Sequence, residues 1–70
     1  MSSQLSELAF DAADHLYDAA KERGDVPADV DAMISTLNSQ ASRGAAELPV
    51  TIGKAAQLLA ELEAAPSSTV

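Results

Sequence analysis

Apolar side chains recur every three or four residues in three separate stretches of this chain, and each recurrence predicts a helix. In the first stretch Leu5, Leu8, Ala9, Ala12, Leu16, Ala19 and Ala20 share one face, which sets a helix over about residues 3–23. Ser2 or Ser3 is suited to cap its start, and Gly24 to follow its end. In the second, Pro27 suits the first helical position of a helix over about 28–42. Its apolar line is Val30, Met33, Ile34, Leu37 and Ala41, and Gly44 ends it. Asp29 and Asp31 fall in its first turn, where the positive end of the helix dipole favours them. Before the third stretch, Pro49 pushes Leu48 towards an extended conformation. Thr51 then reads as the cap of a helix over about 52–64, with Ile52, Ala55, Leu59 and Leu62 inward, widened by Ala56 and Leu58. No stretch alternates with the two-residue period of a strand, and no segment repeats. The pattern predicts an all-α protein, a small antiparallel three-helix bundle. It reads as a single domain over 1–65 with a frayed tail at 66–70.

The polar positions of the first helix are as regular as the apolar ones. Glu7, Asp11, Asp14, Asp18 and Glu22 follow one another at spacings of four, three, four and four residues. They therefore form one narrow stripe directly opposite the core face. Adjacent like charges at such spacings cost roughly 0.2–0.5 kcal/mol per pair, so the stripe costs about 1–2 kcal/mol. Against a total stability of about 4–10 kcal/mol for so small a domain, that is noticeable. One reading is a solvated outer face that keeps the protein soluble. The other is a docking strip for a basic groove or helix. At about 1.5 Å per residue the stripe is about 22 Å long, enough to imitate a short run of nucleic-acid phosphates.

Composition narrows the choice of partner. Eleven acids stand against Lys21, Arg23, Arg43 and Lys54, a net charge of −7 on 70 residues. Binding to nucleic-acid phosphates needs clustered cations, and none occur. An anionic membrane surface is disfavoured for the same reason. The expected partner is a protein with a basic surface. The chain has no cysteine, hence no disulfide and no thiol chemistry. No apolar run approaches membrane-spanning length, and "MSSQLSEL" lacks the basic and apolar regions of a secretion signal. The expected location is cytoplasmic. Chains this short often supplement a small core by self-association, so a homodimer is expected as well.

Few residues suggest chemistry beyond binding. Phe10 and Tyr17, the only aromatics, lie seven residues apart on the flank between core face and acidic stripe. Their expected role is to widen the core against the second or third helix. If exposed, they become an apolar ridge beside the acids, as in contacts that pair an aromatic anchor with a polar rim. His15 falls beside Asp11, Asp18 and Glu22, but one helix rarely supplies three converging ligands and there is no second histidine. No metal or cofactor is called for. No nucleophile–base pair or glycine-rich phosphate loop is present, and a bundle this small leaves little room for a substrate pocket. The expectation is a protein that is not an enzyme.

One local pattern has a familiar form. "VTIGKAAQLLAEL", with Thr51, Ala55, Ala56, Leu58 and Leu59, resembles the opening helix of excisionase-type helix-turn-helix modules. That resemblance would imply a tight turn and a basic recognition helix next. Glu61, Glu63 and Pro66 follow instead, so the segment is read as ordinary helix patterning. The surface picked out for partner binding is Glu7, Phe10, Asp11, Asp14, Tyr17, Asp18 and Glu22. The function expected is docking to a protein partner. The alternative is a phage-type inhibitor whose acidic surface blocks a nucleic-acid-binding site on another protein.

Overall fold

Two glycines with positive φ, Gly24 at 120° and Gly44 at 62°, mark where the chain stops being helical. In the computed structural model, residues 4–64 are described. They form helices α1 (Gln4–Glu22), α2 (Ala28–Arg43) and α3 (Leu48–Ala64). No strand occurs among the described residues. The expected caps Ser2 and Ser3 and the tail 66–70 lie outside them.

The ends of the helices are set by local chemistry. Past α1, the Arg23 and Gly24 amides donate to the Ala20 and Lys21 carbonyls at 3.0 Å. The Arg23 guanidinium also donates to the Ala19 carbonyl at 3.1 Å, placing a cation at the negative end of the helix. Past α2, Gly44 takes the left-handed conformation, and the Ala45 amide donates to the Gln40 carbonyl at 3.0 Å. That is the usual glycine-terminated helix end.

Two starts differ from the sequence expectation. Pro27 is the N-cap of α2 and not its first helical residue; its carbonyl accepts from the Asp31 amide at 2.9 Å. Proline has no capping side chain, and the Asp29 carboxylate accepts from the Val30 amide at 2.9 Å. The larger correction is α3, which begins at Leu48 and not near Ile52. Pro49 is harmless in a first turn, where an amide would have no carbonyl partner. Leu48 is helical despite the proline after it and is only 2 % exposed, so its burial outweighs the pre-proline preference. Thr51 is consequently inside the helix and does not cap it. Its hydroxyl donates back to the Glu47 carbonyl at 3.2 Å while the residue is buried.

The three helices share one core. Leu16, Val30, Leu37 and Leu48 are buried together with Ala9, Ala13, Ala20, Ala41 and Ala55. Met33, Ile34, Ile52, Leu58, Leu59 and Leu62 pack half-buried around them. The Ser6 hydroxyl donates to the Ala41 carbonyl at 3.3 Å, tying the start of α1 to the end of α2. Contact is most extensive between α1 and α2, and least between α2 and α3.

Four core assignments shift. Leu5 and Leu8, expected inside, are 44 % and 53 % exposed, whereas Ala13 is buried. Ala56 is exposed as well and does not widen the core face of α3. Leu8 stands at the edge of the apolar arc of α1, Leu5 in its first turns, and Ala56 about 100° from the buried line of α3, where the neighbouring helices do not cover them.

Leu37→Ala should lower the unfolding free energy by about 2–5 kcal/mol, the range for emptying a fully buried leucine site. Gly53 lies exposed within α3, and a Cβ there would meet nothing within 4 Å. Gly53→Ala should therefore stabilise by roughly 0.5–1 kcal/mol. Gly44→Ala should destabilise by about 1–2 kcal/mol, because the left-handed conformation strains an L side chain. Urea unfolding followed by far-UV circular dichroism measures all three. Equal signs for the two glycine variants would contradict these helix boundaries.

Candidate functional site

The outer side of α1 brings together every residue singled out for binding. Glu7, Asp11, Asp14, Asp18 and Glu22 are all exposed. At 100° per residue they occupy an arc of about 80°. Phe10 is 45 % exposed and Tyr17 48 %, so the expectation that they pack into the core is overturned. Both lie about 90° or more from the centre of the buried face. The alanine-lined contact strip does not reach them.

Leu8 completes the surface, and pattern reading had assigned it to the core. It borders the acidic arc on the side opposite Phe10 and Tyr17, so carboxylates run between two apolar edges. A shallow depression there is lined by Gln4, Glu7, Leu8, Phe10, Asp11 and Asp14, all from α1. The available signal was angular. Leu8 sits at the very edge of the apolar arc, and Ala13 lies nearer its centre.

Charge is uneven along the helix. Near the end of α1, the Lys21 ammonium sits 5.9 Å from the centre of the Tyr17 ring, a cation–π contact. With Arg23 at the same end, Asp18 and Glu22 have cations close by. Glu7, Asp11 and Asp14 have none in their own turns of the helix. The acids of α1 without a cation in their own turns therefore lie beside the exposed Leu8 and Phe10.

This arrangement can attract and seat a cationic group. Carboxylates draw in lysine or arginine, and aromatic faces receive the aliphatic stem or the guanidinium plane. Among the described residues, no group of three or more His, Cys, Asp or Glu is placed to hold a metal ion, His15 and its neighbours included. No helix is long and apolar enough to cross a membrane.

A second depression lies between α2 and α3, where Met33, Thr36 and Gln40 meet Val50, Thr51 and Lys54. Asp29 and Glu47 also line it. The Gln40 Oε1 atom is buried without a hydrogen-bond partner in the described structure. Such an acceptor costs roughly 1–3 kcal/mol.

The exposure of the aromatics has a direct consequence for stability. Phe10→Ala and Tyr17→Ala should each change the unfolding free energy by less than about 1 kcal/mol, as substitutions away from a core do. Thermal unfolding of the two variants checks this. A loss of about 3–5 kcal/mol would place the rings in the core instead. In comparisons with protein-family models, curated proteins and solved structures, nothing matches this chain.

Proposed function

We propose that this protein is a non-catalytic docking module of the cytoplasm, an antiparallel three-helix bundle that binds a basic protein through the outer face of α1. The reading rests on one observation above the others: Phe10 and Tyr17 are exposed beside five exposed acids. A solvated face kept only for solubility has no use for exposed rings and an exposed Leu8 along its edges. Protein contacts combine these elements, an aromatic anchor within and a charged rim around it. The acids steer a cationic partner into place and raise the rate of encounter. The rings supply the short-range part of the affinity.

A phage-type inhibitor that occupies a nucleic-acid-binding site is the second reading, and the length and regularity of the stripe favour it. A charge-driven inhibitor and an anchor-driven docking module respond differently to salt. Between about 0.01 M and 0.15 M ionic strength the screening length falls from about 30 Å to about 8 Å. The inhibitor should lose affinity steeply over that range, whereas the docking module should retain most of it.

The test uses the full chain as bait for extract of its native cells, with partners identified by mass spectrometry. Two variant baits accompany it, Phe10→Ala/Tyr17→Ala and Asp11→Asn/Asp14→Asn/Asp18→Asn. The expected outcome is a basic protein retained by the wild-type chain and lost with the aromatic double variant. Loss with the asparagine variant, with the aromatic variant still binding, identifies the charge-mimicking inhibitor. A partner held equally by all three baits would rule out the outer face of α1 as the binding surface.

A further inference from the structure

Of the exposed large hydrophobic side chains, Leu5, Leu8, Phe10 and Tyr17 lie on α1, while Val50, 62 % exposed, lies on α3. Glu47 precedes Val50 by three residues and Lys54 follows it by four. Glu47 comes just before α3, its carbonyl accepting from the Thr51 amide at 3.0 Å, while Val50 and Lys54, four residues apart, share one side of the helix. All three line the depression between α2 and α3, and Glu47 and Lys54 are both exposed. We propose that this side of α3 pairs with the same side of α3 in a second copy, the two helices running antiparallel. Val50 meets Val50 at the centre, and each Glu47 faces the other copy's Lys54.

The segment from Glu47 to Lys54 is self-complementary. Read in either direction it is a charge, a valine and a charge, and reversal exchanges acid for base; Glu61, seven residues further on, lies beyond the paired segment. A two-fold axis beside the two Val50 side chains therefore sets opposite charges near each other twice, as an isologous contact requires. Antiparallel helix pairs use flanking charges in the same way to choose partner and direction. Asp29, the remaining charged residue of the depression, is on α2 and falls outside this register.

The occupant is a second copy because the alternatives fit less well. Self-pairing through α1 would press five carboxylates against five. A strongly basic partner would find one lysine at the middle of the α3 surface. A strongly acidic partner would meet Glu47 and Asp29. Only a partner with acid and base in reversed order satisfies both α3 charges, and this chain is such a partner. The contact leaves every residue of the acidic face on α1 unused, so it does not depend on the docking reading given above.

An interface of about two helical turns is at the small end for specific contacts. Association in the tens to hundreds of micromolar is therefore expected. Sedimentation equilibrium of the full chain from about 10 µM to about 1 mM brackets that range. Glu47→Lys or Lys54→Glu alone turns two attractions into two repulsions and should weaken the dimer by about fourfold to thirtyfold. The combined Glu47→Lys/Lys54→Glu variant restores both pairs and should return to within about threefold of the wild type. Val50→Asp should leave a monomer, with its helical circular dichroism intact. A wild-type chain that stays monomeric throughout, or a dimer indifferent to Lys54→Glu, would overturn the proposal. Failure of the double variant to recover would overturn the register.

Discussion

Among the described residues, Leu16, Val30, Leu37 and Leu48 are the buried apolar residues larger than alanine, and alanines make up the rest of the buried core. Close approach of three helices over these small side chains is the contact on which the remaining structure depends. Alanine favours the helix more than any other residue and loses no side-chain entropy when buried. It also buries little area, so the bundle is held by intimate backbone approach around a few leucines. The same closeness decides what stays outside. A strip of contact this narrow cannot enclose Leu8, Phe10 and Tyr17, which a core of larger residues would have absorbed.

That exclusion leaves apolar side chains in water on both sides of the acidic arc. The carboxylates of α1 repel one another, and they sit where the core makes no demand on them. With apolar edges on both sides, their field acts on whatever the exposed rings can hold. The cations of α1 gather at its C-terminal end, where they are favoured by the helix dipole and offset the last two acids. Glu7, Asp11 and Asp14, the acids of α1 furthest from these cations, lie beside the exposed Leu8 and Phe10. On α3 the charges are mixed, with Lys54 followed by Glu61 and Glu63.

Much of this was legible in the residues alone. The number of helices, the boundaries at Gly24 and Gly44, the inward line of α2 and the placement of five acids on one side follow from period and capping chemistry. The misread elements have local causes. Leu48-Pro49 has the local signature of an extended break, and Thr51 that of a cap. Both lost to the burial of Leu48, a gain local rules do not contain. Leu8 and Phe10 stand at the two margins of an apolar arc, where one helix's periodicity does not say how far its neighbours reach.

The sequence by itself determined the helical fold and the sign and alignment of the charge on α1, because these depend on residues three and four apart along one chain. The tertiary structure decided which apolar side chains remain in water. Exposure is set by how closely the other helices approach, and that distance depends on alanines contributed by all three. Phe10 and Tyr17 beside the acids, and Val50 between Glu47 and Lys54, acquire their meaning at that level.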